Sequence, residues 1–245
     1  MQTGTGNSRR RESAFFVTMS AVMAVIVFVG FARSLYLPFL LPPDPLASSD
    51  AVYLIHGVIA SAWIALFVIQ PNLVRAGQIK RHRRYGWIGV GVAGMVVISG
   101  LGVSVAAAAR LPGDPLPTMP LGFLGVILFG LLLFGVLVGC AVGYRQNGPA
   151  HKRLMYLATI NLLQAAIVRI PVAWIMQSGP MTSFWLAAGL IVPLLVWDLA
   201  STQAIHRATL CGGLAIVASI PVRVWITSTP QWASIAERVV QVVRG

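Results

Sequence analysis

Apolar residues gather into seven long runs, at roughly 14–37, 51–74, 85–109, 120–144, 152–177, 182–202 and 208–226. Each is close to the ~20 residues that an α-helix needs to cross a bilayer core. The segments between them are short and rich in Pro, Gly and Asp: "LPPDPLASSD" (41–50), "LPGDPLPTMP" (111–120), "QNGPAH" (146–151) and "QSGPMTS" (177–183). Such composition makes turns. The pattern predicts an all-α polytopic membrane protein with one seven-helix transmembrane domain over 14–228. A basic N-terminal segment, 1–13, precedes it and a tail, 229–245, follows.

Both ends of the chain add detail. The run from Ser13 to Ala32 is longer than the ~7–15 residues of a signal-peptide core, and no small-residue cleavage site follows it, so it reads as a retained first helix. In the tail, Pro230 suits the first position of a helix after Thr229. Trp232, Ile235, Val239 and Val242 then share one face, which predicts an amphipathic helix in the outer membrane interface. Small residues repeat every fourth position at Gly135, Gly139 and Gly143, and at Gly89/Ala93 and Gly100/Ser104. They are expected at close helix–helix contacts.

Composition agrees with a lipid-facing surface. Of 245 residues 57% are hydrophobic and only 10% charged, with a mean hydropathy of +0.81. The net charge of +12 does not point to nucleic acid, because the cations sit in the turns. Arg9, Arg10 and Arg11; Arg75, Lys80, Arg81, Arg83 and Arg84; Arg145, Lys152 and Arg153; and Arg207 fall in alternate connections. The other connections hold Asp44, Asp50 and Asp114, with Arg110 their only cation. Cations are retained on the cytoplasmic side, so the expected topology has the N-terminus inside and the C-terminus outside, in a bacterial inner membrane. The basic turns would meet anionic lipid headgroups. Cys140 and Cys211 make no framework and read as buried thiols packed as small hydrophobes.

Polar residues in lipid are costly and therefore informative. His82, His151 and His206 each open an odd-numbered helix on the expected cytoplasmic side, in the similar contexts "HRRYG", "HKRLM" and "HRATL". Asp198, the only carboxylate inside the last six runs, lies near the same end. Imidazole ligates transition metals and haem, so His82, His151, His206 and Asp198 form one candidate metal site. His56, Trp63 and Gln70 recur every seven residues on one face of the second helix. On the fifth, His151 and Arg169 would stand about 27 Å apart, with Asn161 and Gln164 between them as a polar stripe that offers a path for a small solute. His56, Arg169, Arg33 and Arg223 lie towards the outer end. They make a candidate site for an anion, a quinone oxygen or a lipid headgroup. In a third reading none of these residues binds a ligand, and they serve as caps and interhelical hydrogen bonds in a structural membrane subunit.

"HGVIASAWIALFVIQ" (56–70), then "HRRYGWIG" (82–89), then "HKRLM" (151–155), with Asp198 and His206 beyond, resembles a family of uncharacterised bacterial multi-spanning membrane proteins. The resemblance covers about residues 50–210 and implies the seven-helix topology and a shared site. It carries no assigned reaction. Enzyme motifs of the G-x-S-x-G, H-E-x-x-H and Walker kinds do not occur. Ser201, His206 and Asp198 can be drawn as a hydrolytic trio by chain proximity alone.

Overall fold

The computed structural model describes residues 3–44, 47, 50–110 and 120–244; the 111–119 connection, with Asp114, lies outside the described residues. What is described is helical, with no strand among the described residues. The helices are α1 (Thr3–Phe31), continued by a π-helical turn (Ala32–Tyr36), α2 (Ala51–Arg75), α3 (Ile79–Ala108), α4 (Leu121–Gly143), α5 (Gly148–Leu162), α6 (Gln164–Ile167), α7 (Ala173–Gln177), α8 (Pro180–Gly189), α9 (Ile191–Thr202), α10 (Arg207–Thr227) and α11 (Pro230–Arg244).

Among the described residues six segments are long and apolar enough to cross a membrane: Arg10–Tyr36, Ala51–Arg75, Ile79–Ala108, Leu121–Gly143, Met181–Thr202 and Arg207–Thr227. The fifth apolar run is not among them, because it is broken into α5, α6 and α7. Proline explains one break. Its ring displaces the carbonyl four residues earlier and it donates no hydrogen bond. Pro171 stands four residues beyond Ile167, where α6 ends. Pro193 stands likewise beyond Gly189, where α8 ends, and the Tyr156 hydroxyl donates to the Leu190 carbonyl there at 2.8 Å. The fifth run still reaches both ends of the bundle. His151, near its start, meets His82, and Arg169 pairs with Asp44.

The core forms around α5. Residues 156–161 are all buried, packed with Trp63 of α2, Phe134 of α4, Leu194 of α9 and Ile216 of α10. Outward faces are apolar too, as at Ile98, 71% exposed, and Trp225, 72% exposed, which suits a lipid surround. Cys140 and Cys211 are exposed, not buried as the sequence suggested. They stand on the outward faces of α4 and α10, where a thiol is apolar enough for lipid.

Close helix contacts do not use the predicted glycine repeat. A Cβ at Gly139 or Gly143 would meet nothing within 4 Å, and one at Gly135 only Val97 at 3.9 Å. Of the predicted glycines only Gly100 makes a close approach, with an added Cβ 3.0 Å from the Leu131 side chain; the tightest contacts are elsewhere. A Cβ at Gly30 would overlap the Ala166 backbone, and one at Gly125 would overlap Thr227 and Trp232. Four-residue spacing identified small residues but not which side of the helix had a neighbour.

The amphipathic helix of the tail is present as α11. The Thr229 hydroxyl accepts from the Trp232 N–H at 3.3 Å, and the Trp232 ring N–H donates to the Leu121 carbonyl at 2.8 Å. Ala236 and Val240 are buried against Ala108 and Leu124. Ile235, Val239 and Val242 remain exposed, so the apolar face is split between the bundle and the surroundings.

Gly30→Val is expected to lower the thermal unfolding midpoint in detergent strongly, at a cost of at least ~2 kcal/mol, because the overlap is with backbone and cannot relax by side-chain rotation. Gly139→Ala should stay within about 0.5 kcal/mol of the parent. Equal effects of the two changes would contradict this packing.

Candidate functional site

The end of the bundle that carries the basic turns contains two separate polar groups. The first is built on Asp198 of α9, 0% exposed. Its Oδ1 accepts from Arg153 Nε at 3.0 Å and Nη2 at 2.5 Å. Its Oδ2 accepts from the Thr209 hydroxyl at 2.6 Å and from the His206 backbone N–H at 3.1 Å. A buried carboxylate needs its charge paired and its lone pairs filled, and this one has both. Arg153 also donates to the Pro149 carbonyl at 2.9 Å, so the starts of α5 and α10 and the end of α9 are tied together. Glu12 of α1 joins the same end through an ion pair with Lys152.

The second group is the histidine pair. The His82 and His151 rings lie 6.3 Å apart, centre to centre, with planes at 86°. His151 Nδ1 donates to the Ala141 carbonyl at 2.8 Å, which fixes its tautomer and leaves Nε2 with a free lone pair. Gln70, one helix earlier, spans the His82 turn. Its amide donates to His82 Nδ1 at 2.5 Å and to the His82 carbonyl at 3.2 Å, and accepts from the Gly86 N–H at 2.9 Å. Both histidines are half-buried. Helix ends place them: α3 and α5 each open at this end, beside the last turns of α2 and α4 that supply Gln70 and Ala141.

The predicted four-residue metal site is therefore divided. His82 and His151 come together. Asp198 is committed to Arg153, and His206 caps α10, its Nδ1 accepting from the Ala208 N–H at 3.1 Å. Among the described residues no three His, Cys, Asp or Glu side chains are grouped to hold a metal. The hydrolytic trio does not form either: Ser201 donates to the Trp197 carbonyl at 2.6 Å, and Asp198 meets the backbone of His206, not its ring.

At the opposite end the predicted outer group is also divided. Arg33 donates to the Pro42 carbonyl at 2.8 Å and to that of Pro43, folding the chain so that Asp44 lies 3.6 Å from Arg169. Arg169 covers the Phe31 ring at 5.0 Å. Nearby, Arg110 donates to the Tyr53 hydroxyl at 2.5 Å. His56 Nδ1 meets the Ser99 hydroxyl at 2.9 Å, whose own proton goes to the Met95 carbonyl at 2.7 Å; His56 is thus the donor of that pair. Arg223 is elsewhere, 3% exposed, donating to Asn161 at 3.1 Å and to Ser219. Asn161 in turn donates to the Gly130 carbonyl at 2.8 Å. The stripe predicted on the fifth helix is thus not continuous: Asn161 bonds α4 and α10, while Arg169 lies beyond the break and bonds Asp44.

Sequence reasoning placed His56, Trp63 and Gln70 on one face, and each does turn inward, to Ser99, Phe134 and His82. It missed Arg153 and Thr209 as the partners of Asp198. Arg153 carried a signal, since a lone carboxylate in an apolar run calls for a cation nearby. Comparison of the chain with protein-family models, curated proteins and solved structures returns no match.

Burial and the neighbouring Arg153 guanidinium hold the His206 imidazole below its ordinary value, with Asp198 pulling the other way. The neutral ring is the one that caps α10. Its stabilisation is complete above the ordinary histidine pKa of about 6.5 and is lost as pH falls below it. The thermal midpoint should therefore drop between about pH 7 and pH 5, and His206→Asn, which keeps a capping acceptor, should show a smaller drop. An unchanged pH profile in that variant would exclude the cap as its source.

Proposed function

We propose that the protein is a seven-pass protein of the bacterial cytoplasmic membrane, N-terminus inside, that binds haem between His82 and His151. The topology is supported by the alternation of basic and acidic turns and by the meeting of residues 12, 82, 151–153 and 206 at one end. The fifth crossing is then made by α5 and α6 together.

The observation that carries the haem reading is the imidazole pair. Two imidazoles that bind one metal at about 2 Å each, from opposite sides, have ring centres about 6 Å apart. The pair stands at 6.3 Å. His151 already shows the arrangement usual for a ligating histidine, its far nitrogen donating to a carbonyl. For His82 the equivalent tautomer requires the Gln70 amide to turn over, so that its oxygen accepts from Nδ1 and its bonds with the His82 carbonyl and the Gly86 N–H are given up. Two protein ligands are too few for a structural zinc site but suffice for haem, whose macrocycle supplies the other four nitrogens. Arg83 beside His82, and the basic turns generally, repel a bare dication and favour a macrocycle bearing carboxylates. Haem held by His82 and His151 would supply one-electron transfer. His82 and His151 would hold it, with Ala141 and Gln70 orienting the two rings, at the end of the bundle that carries the basic turns.

A second reading places an anionic or quinone headgroup at the outer end. It is favoured by the gathering of Arg33, Arg110 and Arg169 around Tyr53, His56 and Asp44.

The protein purified in mild detergent from cells supplied with haem precursor should show a Soret band and sharp bands on reduction, at one haem per chain. His82→Ala and His151→Ala should each abolish this spectrum while leaving the elution profile unchanged. A colourless parent protein after haem supplementation, or a band that survives both changes, would reject the proposal.

A further inference from the structure

The cations of the α2–α3 turn are arranged on a particular side of α3. Lys80, Arg83, Arg84, Trp87, Gly91, Gly94, Met95 and Ile98 fall on one stripe of that helix, at the 3–4-residue spacing of a single face. All are exposed, Trp87 at 62%, Met95 at 47% and Ile98 at 71%. The opposite face, with Val92, Ala93, Val96 and Ser104, is buried in the bundle. The stripe thus runs from positive charge, through a tryptophan, to apolar surface over the 19 residues from Lys80 to Ile98, about 27 Å of helix. The chain contains no Asp or Glu between Asp50 and Asp114, so no carboxylate close in sequence is at hand for these cations.

We propose that this stripe is a binding surface for an anionic phospholipid of the inner leaflet, with the phosphate between Lys80 and Arg84, Trp87 at headgroup depth and an acyl chain along Met95 and Ile98. The partner must carry negative charge at one end and a long apolar body below it. An acidic peptide or a nucleic acid meets only the first requirement. The order of groups is that of the interface itself, where cations bind headgroups, tryptophan rings sit at the boundary and the rest lies in hydrocarbon. Gly91 and Gly94, where an added Cβ would meet nothing within 4 Å, leave the surface flat below the tryptophan. The Arg81 side chain is turned away, donating to Gln78 at 2.8 Å, and is not part of the surface. This inference does not depend on haem.

The test is lipid retention and thermal stability of the full chain in detergent micelles doped with phosphatidylglycerol or phosphatidylcholine. Phosphatidylglycerol should raise the thermal midpoint above the phosphatidylcholine value and should be co-purified. The double variant Lys80→Gln/Arg84→Gln should bind it more weakly, by about fivefold per cation removed, and lose most of the difference. Both side chains are exposed, so the variant's midpoint in phosphatidylcholine should match the parent's; that arm separates lost binding from lost folding. Equal midpoints of the parent in the two lipids would overturn the proposal. So would a full phosphatidylglycerol effect in the variant, an equal rise with inorganic phosphate alone, or single-stranded RNA competing the lipid away.

Discussion

One buried ion pair organises the basic end of this protein. Asp198 is the only carboxylate in its helix and is fully buried, so its charge has to be met by protein. Arg153, Thr209 and the His206 N–H do so from α5 and α10. An isolated carboxylate there would be untenable, and a carboxylate with these partners leaves little freedom to the segments that carry them. His151 lies two residues before Arg153 on α5, so the constraint that fixes the arginine also fixes the histidine. The ring of His151 then stands opposite His82, which Gln70 holds from the end of α2. Fastening and candidate site are thus neighbours with different duties: the carboxylate holds helices, and the His151 imidazole keeps Nε2 free.

The two ends of the bundle use different means. The basic end relies on side-chain pairs between helices. The opposite end relies on short hydrogen bonds to loop carbonyls, on the π-helical turn that carries Arg33, and on α11, which covers the ends of α3 and α4 through Trp232 and Ala236. In between, Arg223 and Asn161 bridge α4, α5 and α10. The central helix α5 contributes to the basic end through Arg153 and to this middle layer through Asn161. That accounts for its burial, and Leu163, where the helix first departs from regularity, is buried too.

Much of the architecture was legible because lipid imposes simple rules. Apolar runs of about 20 residues became helices at six of seven places, and alternating charge identified which turns lie together. The break in the fifth run was half-legible, since Pro171 marks the end of α6 but no residue type marks Leu163. Pro71 and Pro221 are carried inside α2 and α10, so proline alone does not decide. The histidines were recognisable as a set from their shared place before a helix, but periodicity does not say which ring nitrogens are spent on caps. His206 is spent and His151 is not. Likewise the cation count in the 145–153 turn hid the fact that Arg153, unlike its neighbours, points inward; exposure depends on the face of α5, which the turn's composition does not encode.

The most direct measurement of the division between fastener and site is the double variant Asp198→Leu/Arg153→Met, compared with Asp198→Asn alone. Removing one partner should destabilise the protein by ~3–5 kcal/mol, whereas replacing both with apolar residues should recover most of the loss. The folded double variant should keep the absorption spectrum that depends on His82 and His151. A double variant that folds with parental stability but has lost that spectrum would place Asp198 or Arg153 within the ligand site and contradict this account.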